Sequence, residues 1–225
     1  MRNLIVKSLF GLVFMLLLLA LALFIPAGSL RYWNAWVYLA VFATCTLLIT
    51  VYLMKYDPKL LASRTKAGPS SETERNQRII QSIASLLFIG LFVIAGLDYR
   101  FKWSDMPFGM SLIANVFVVL GLYFVFLVFK ENSFTSATIE VVSEQQVIES
   151  GPYRWVRHPM YTGASFFLIF TALALGSWTA LPFAIGLILT IMVRLLEEEK
   201  FLATKLPGYE AYRAKTKYRL VPFIW

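Results

Sequence analysis

The chain is poor in the residues that build most metal and redox sites. It contains one cysteine and one histidine among 225 residues, so it can form neither an internal disulfide nor a Cys/His zinc site. It also lacks a glycine-rich phosphate loop of the GxGxxG or GxxxxGK(S/T) type. We therefore expect no metal ion and no Rossmann or P-loop domain.

Charged residues are scarce as well, at 15% of the chain against 59% hydrophobic residues. Soluble domains are about one quarter charged, and a bilayer core needs about 20 mostly apolar residues per helix. Long apolar runs predict six membrane-spanning helices: 9–25, 33–54, 79–97, 108–129, 161–175 and 178–196. The predicted fold class is an all-α, multi-pass transmembrane bundle whose last two spans form a short hairpin.

The distribution of lysine and arginine predicts the orientation, because cytoplasmic loops hold most basic residues. If both termini are cytoplasmic, only Arg31, Arg100 and Lys102 of the 21 basic residues fall outside, and the other eighteen fall inside. This basic rim would face anionic lipid headgroups, which accounts for the net charge of +8. No nucleic-acid-binding motif is present, so we expect membrane lipids and not nucleic acid as partners.

The chain divides into two predicted regions. Residues 1–130 hold four transmembrane helices and a cytoplasmic loop at 55–78, which is expected to pack over the functional site. The acidic groups of this loop are expected on its solvated surface. Residues 131–225 hold the final helix hairpin, a basic and aromatic tail, and the cytoplasmic region in which we expect a cofactor site.

Two groups of ionisable residues should meet at the cytoplasmic end of the final hairpin. Arg157 and His158 precede the fifth predicted span, while Arg194 and the glutamates at 197–199 end the sixth. The first and last residues of a hairpin are neighbours, so these groups should approach each other. Pro159 suits the first turn of a helix, whose free N–H groups favour an anion.

Each of these residues also has an ordinary structural interpretation. Charges at a membrane boundary can be interfacial, and Arg194 can pair with Glu198, which is four residues further along the same helix. Tyr153 and Tyr161 can be interfacial anchors. The combination of these residues favours a binding site more than any one of them does.

The combination resembles a known group of membrane enzymes. The stretch at 146–163, the Glu198-Glu199 pair and the stretch at 207–212 resemble the isoprenylcysteine carboxyl methyltransferase and phospholipid methyltransferase superfamily. The resemblance covers residues 130–225, and the first four spans carry no matching motif. The carboxyl methyltransferases often have a histidine before a Leu-Val pair, where this chain has Gln145 and Gln146.

The resemblance implies a binding site for S-adenosylmethionine. The implied cofactor-binding residues are Gln145, Gln146, Val147, Ile148, Tyr153, Arg157, His158, Pro159, Met160, Tyr161 and Glu198. Glu198 would hold the amino end of the cofactor. The implied catalytic residues are Arg194, Glu198 and Glu199, with Arg194 on the side of the substrate.

The implied activity is methyl transfer from S-adenosylmethionine to a lipophilic or prenylated acceptor that enters from the bilayer. An isoprenylcysteine-type carboxylate is the leading acceptor, although the sequence does not choose cleanly between a carboxylate and an amine. A carboxylate is already ionised, and Arg194 would orient it by a forked hydrogen bond. The alternative is a phospholipid amine, whose proton Glu198 or Glu199 would accept. The sequence leaves the oligomeric state open.

Two further interpretations remain at this point. The sterol reductases, which use NADPH, have a similar C-terminal region with an Arg-His-Pro-Asn-Tyr stretch, but Met160 stands where they have asparagine. A non-catalytic membrane scaffold is the other interpretation. A scaffold does not require charged groups that converge at one helix hairpin.

Overall fold

Helices make up almost all of the regular structure. The computed structural model describes residues 2–65, 68–72, 74–138 and 145–225, and in these ranges it contains α-helices and two short 3-10 helices but no strand. The α-helices are α1 (Arg2–Ala27), α2 (Trp33–Tyr56), α3 (Pro58–Arg64), α4 (Arg75–Phe101), α5 (Phe108–Glu131), α6 (Pro159–Ala174), α7 (Leu181–Lys205) and α8 (Tyr209–Lys215). Parts of the two predicted cytoplasmic segments, at 66, 67, 73 and 139–144, lie outside the described residues.

Four helices are long and apolar enough to cross a membrane. They are α1, α2, α4 and α5, which correspond to the first four predicted spans. The helical fold class and the membrane location are therefore confirmed. Helix α6 is apolar but has only 16 residues, and α7 becomes charged from Arg194 onward. A count of six crossings, like the cytoplasmic placement of the termini, stays a prediction.

Proline and aspartate define where two helices begin. Pro58 lies in the first turn of α3, and Asp57 caps that helix by accepting a hydrogen bond from Leu60 N at 2.9 Å. Pro159 occupies the first turn of α6 in the same way, as the sequence predicts. The loop predicted at 55–78 thus contains the short helix α3 and a 3-10 helix, Pro69–Ser71.

The helices pack so that α6 lies against both α5 and α7. Close approach of α5 and α6 depends on two glycines, because larger side chains there would collide with the facing helix. A Cβ atom added at Gly121 would lie 2.8 Å from Phe167 Cβ, and one at Gly163 would lie 2.9 Å from Val125 Cγ2. This contact places the first turn of α6 beside the last turns of α5.

A buried carboxylate ties the opposite end of the bundle together. Asp98, near the end of α4, is 2% exposed and accepts hydrogen bonds from Ser104 N and Ser104 Oγ at 2.7 and 2.6 Å. It also accepts from Ser177 Oγ and, at 2.6 Å, from Thr179 Oγ1, both in the turn between α6 and α7. These bonds fix the turn of the final hairpin on α4.

We expect replacement of Asp98 by alanine to destabilise the fold without altering the site at the other end. Loss of its charged hydrogen bonds should cost about 3 kcal/mol, which corresponds to a fall in melting temperature of about 8 °C. Thermal unfolding in a neutral detergent measures this change. Asp105→Ala is the matched control, because Asp105 is exposed in the adjacent loop. Equal melting temperatures for the two variants would contradict this role of Asp98.

Candidate functional site

A cavity of about 540 Å³ lies where the first turn of α6 meets the charged end of α7. Its wall also includes residues of α3, α4, α5 and α8. The wall contains every residue that the sequence predicts to bind cofactor: Gln145, Gln146, Val147, Ile148, Tyr153, Arg157, His158, Pro159, Met160, Tyr161 and Glu198. Arg194 lines the cavity too. The hairpin of α6 and α7 therefore brings the predicted residues together on one cavity wall.

The turn before α6 is held in place by side chains from two other elements. Residues Gly151–Arg154 form a 3-10 helix, in which Tyr153 is buried. The Tyr153 hydroxyl accepts a hydrogen bond from Asn132 Nδ2 at 2.9 Å, and the Tyr153 carbonyl accepts one from Tyr212 Oη at 2.8 Å. Asn132 follows α5 and Tyr212 belongs to α8. These contacts orient Tyr153 toward the cavity.

Arg157 and His158 form a buried cluster with Glu199. Arg157 Nε lies 2.6 Å from Glu199 Oε1, and His158 Nε2 lies 3.3 Å from the same oxygen. Arg219 Nε binds the other carboxylate oxygen at 3.0 Å. The side chains of Arg157 and Glu199 are 5% and 6% exposed. Arg157 and His158 thus meet the glutamates at 197–199 as predicted, and Glu199 makes the contact.

The chain after α8 braces the same corner. Arg157 Nη1 donates to the carbonyl oxygens of Thr216 and Lys217, both at 3.0 Å. The backbone N–H groups of Arg157 and His158 donate to the carbonyls of Tyr218 and Arg219 at 2.9 and 3.0 Å. The C-terminal segment therefore holds His158 in position beside Pro159.

Glu199 is the one predicted site residue that does not line the cavity. Burial opposes its ionisation, but hydrogen bonds from His158, Arg157 and Arg219 outweigh burial and hold the pKa of Glu199 at about 2. A carboxylate with so low a pKa is a weak base near neutral pH. Its geometry is that of a residue that positions Arg157 and His158, while its predicted catalytic role stays a prediction.

Tyr161 connects the other two predicted catalytic residues. Its hydroxyl donates to Glu198 Oε2 at 2.6 Å and accepts a hydrogen bond from Arg194 Nε at 3.2 Å. The three side chains line one part of the cavity. Arg194 and Glu198 are linked through Tyr161 and form no direct ion pair within the described chain.

Arg194 pairs with Glu72, an acidic residue that was expected on the solvated surface of the 55–78 loop. Its Nη2 lies 2.7 Å from Glu72 Oε1 and donates to the carbonyl of Ala137 at 3.0 Å, and its Nη1 donates to Gln77 Oε1 at 3.4 Å. Glu72 is only 3% exposed, so the expectation that the acidic groups of the 55–78 loop are solvated was wrong for this residue. The loop does pack over the site, as expected, and this packing removes Glu72 from solvent.

Tyr209 and Arg64 are among the wall residues that the sequence did not predict. Tyr209 is 4% exposed, and its hydroxyl has no hydrogen-bond partner among the described residues. It belongs to the Pro-Gly-Tyr stretch at 207–212, so the motif could have indicated it. Arg64 at the end of α3 also lines the cavity. Arg64 belongs to no recognised motif. It lies almost a hundred residues before α6, so nothing in the local sequence connects it to the site.

Residues 110–207 match the family model for phospholipid methyltransferase, a membrane family related to the isoprenylcysteine methyltransferases. The resemblance to that superfamily is confirmed for this segment. No curated protein matches the chain. The matched segment includes most of α5 and all of α6 and α7, whereas Arg64 and Tyr209 join the cavity wall from outside it.

The cavity that this matched segment largely lines suits S-adenosylmethionine, which methyltransferases of the matched family generally use. Its volume falls within the range of about 300–1,000 Å³ that is typical of small-molecule sites. Glu198 offers a carboxylate for the cofactor ammonium group, and the unpaired Tyr209 hydroxyl offers a further polar contact. The residues present therefore fit the cofactor.

Proposed function

We propose that this protein is a membrane methyltransferase that uses S-adenosylmethionine to methylate a lipophilic acceptor with an amine headgroup. One observation supports the proposal most strongly. A single cavity, walled largely by the segment that matches the phospholipid methyltransferase family, contains all eleven residues that the motifs predict for cofactor binding.

The motif residues would hold the cofactor at one end of this cavity. Glu198 would bind the ammonium group by a charged hydrogen bond, and Tyr161 fixes the orientation of that carboxylate. Tyr209 can donate its free hydroxyl. S-adenosylmethionine supplies an electrophilic methyl group, so the protein has to align the acceptor and exclude water, and no nucleophilic side chain is needed.

The cavity wall also has an apolar part, which α5, α6 and α7 contribute. It contains Leu122 and Val125 of α5, Phe167 of α6 and Ile191 of α7. An acyl or prenyl chain can lie against these side chains while its headgroup reaches the polar end. This arrangement supports an acceptor that enters from the bilayer.

The contacts of Arg194 favour an amine over a carboxylate. A carboxylate acceptor would need a forked pair of N–H groups, yet four of the five N–H groups of Arg194 already donate to Tyr161, Gln77, Glu72 and Ala137. An amine needs no such fork. It does need an acceptor for its proton.

Glu198 is the one carboxylate on the described part of the cavity wall. Because the Tyr161 hydroxyl donates to Glu198 Oε2, Tyr161 can pass a proton to Glu198 while it accepts one from the amine. Glu199 is unsuited to this task, since it does not line the cavity and its bonds with His158, Arg157 and Arg219 hold its pKa at about 2. Tyr161 and Glu198 are therefore the proposed route for the proton.

An isoprenylcysteine-type carboxylate is the second candidate acceptor. It is favoured by the presence of two arginines, Arg64 and Arg194, on the cavity wall. To bind such an acceptor in a forked geometry, Arg194 would have to release Glu72 or Tyr161. The amine therefore requires less rearrangement.

Transfer of a radiolabelled methyl group distinguishes the two acceptors. The purified protein would be incubated with labelled S-adenosylmethionine in lipid discs that contain phosphatidylethanolamine or a farnesylated cysteine. We expect label in the phospholipid, in a form that resists alkali, because N-methyl groups survive a treatment that hydrolyses methyl esters. Label released as methanol from the farnesylated cysteine would identify the carboxylate instead. Absence of transfer to either class would contradict the proposed activity.

A further inference from the structure

Arg64 is a cation on the cavity wall, and most of its donors have no partner among the described residues. It is the last residue of α3, and its guanidinium lies 5.1 Å from the centre of the Phe129 ring. Nη1 donates to the carbonyl of Ser136 at 3.1 Å and contacts Met160 Sδ at 3.6 Å. No hydrogen bond from Nε or Nη2 to any described residue is present. With respect to the described residues, these donors are therefore available to a ligand in the cavity.

The other two arginines of the wall have carboxylate partners. Arg157 pairs with Glu199 and Arg194 pairs with Glu72, whereas Arg64 has no ion pair with any residue in the ranges that the structure describes. Burial lowers the pKa of Arg64, and the positive charge of nearby Arg194 acts in the same direction. Guanidinium groups stay protonated even so. A partly buried cation that has no counterion among the described residues is costly, and an anionic ligand would remove that cost.

Arg64 comes from a part of the chain that carries no cofactor motif, although its Nη1 contacts Met160 of that motif. It enters the cavity from α3, outside the matched segment at 110–207, and the charge of Arg194 acts on it. The resemblance places Arg194 on the side of the substrate. The cofactor ammonium, in contrast, is assigned to Glu198. An anion bound to Arg64 therefore belongs to the acceptor more readily than to the cofactor.

We propose that Arg64 binds an anionic group on the methyl acceptor, either the phosphate beside a lipid amine or an acceptor carboxylate. This inference depends on the proposed function, because it assigns the specificity of the same cavity. Arg64 would thereby select acceptors with an anionic headgroup over neutral lipophilic compounds. Its guanidinium can bind two oxygens of a phosphate or carboxylate through Nε and Nη2.

The test compares simple amphiphiles that share one chain and differ in headgroup. Dodecyl phosphate, dodecanoate and dodecanol would be titrated into the purified protein in a neutral maltoside detergent, with and without saturating S-adenosylhomocysteine. Three variants accompany the wild type: Arg64→Gln, Arg64→Lys and Lys59→Gln. Lys59 is an exposed cation on the same helix, so its substitution changes the net charge equally.

The wild type should bind one of the two anionic amphiphiles at least about tenfold more tightly than dodecanol, because a charged hydrogen bond contributes enough binding energy for such a difference. Arg64→Gln should abolish this preference, Arg64→Lys should keep part of it, and Lys59→Gln should leave it intact. The affinity for S-adenosylhomocysteine should stay within twofold in all variants. A preference for dodecyl phosphate assigns the site to a phosphate, and a preference for dodecanoate assigns it to a carboxylate.

Three outcomes would overturn the inference. They are a wild type without preference for either anion, a preference that survives Arg64→Gln, and a preference that Lys59→Gln abolishes equally. A loss of S-adenosylhomocysteine affinity in Arg64→Gln would also overturn it, because Arg64 would then serve the cofactor. Failure of the wild type to bind S-adenosylhomocysteine at all would instead contradict the proposed function, whatever the amphiphiles show.

Discussion

Replacement of Glu199 by glutamine is expected to lower the free energy of unfolding by about 3 kcal/mol, because it leaves Arg157 buried without a counterion. Glu199 bonds to Arg157, His158 and Arg219, so one neutral amide would replace the centre of the cluster. The affinity for S-adenosylhomocysteine should fall as well, since His158 lies on the cavity wall. Thermal unfolding and calorimetric titration measure the two effects.

The effect of this substitution should depend on pH in a defined direction. The folded protein holds the pKa of Glu199 at about 2, below the value of about 4.3 for an unperturbed glutamate. The ionised group therefore contributes its stability above pH 4.3 and loses it as the pH falls toward 2. The difference in stability between wild type and Glu199→Gln should be constant from pH 5 to pH 8. A difference that disappears between pH 7 and pH 5 would contradict this assignment.

Replacement of Glu198 by glutamine should affect the cofactor and spare the fold. Glu198 lines the cavity and accepts the Tyr161 hydroxyl, and its charge is assigned to the cofactor ammonium group. Loss of one charged hydrogen bond of about 2 kcal/mol corresponds to a roughly 30-fold weaker affinity for S-adenosylhomocysteine. Isothermal titration measures this affinity, and the melting temperature without ligand should change little.

The adjacent Glu197 provides a matched control for both substitutions. Its side chain is 37% exposed and pairs with Lys200 on the surface, so Glu197→Gln should alter neither stability nor affinity. We thus expect a different outcome for each of the three neighbouring substitutions. Glu197→Gln should have no effect, Glu198→Gln should lower the affinity for the cofactor, and Glu199→Gln should lower the stability. An equal response of all three would show that the run acts only as surface charge.

The helices and the meeting of the motifs could be predicted from local features of the sequence. A membrane-spanning helix is encoded by about 20 consecutive apolar residues, which is why α1, α2, α4 and α5 were recognised. The approach of His158 to the glutamates follows from the hairpin of α6 and α7 alone. Neither prediction required knowledge of side-chain packing.

The partners of the individual charges could not be predicted in the same way. Glu72 pairs with Arg194 across more than a hundred residues of chain, and Arg64 enters the cavity from a seven-residue helix. Both contacts depend on how the 55–78 loop folds over the site, where Glu72 contacts α7 and Arg64 contacts α5 and α6. The sequence of this loop is polar and basic, so solvent exposure was the natural expectation for its carboxylates. The different roles of Glu198 and Glu199 also depend on tertiary structure, since the side chains of adjacent helical residues point in different directions.

The central claim is that the cavity between the first turn of α6 and the end of α7 binds S-adenosylmethionine. Photo-crosslinking of radiolabelled S-adenosylmethionine to the purified protein, followed by mapping of the labelled peptides, tests this claim most directly. We expect label within residues 145–161 or 198–212, and excess S-adenosylhomocysteine should prevent it. Protected label found only in α1 or α2, which contribute no residue to the cavity wall, or labelling that excess S-adenosylhomocysteine leaves unchanged, would contradict the claim.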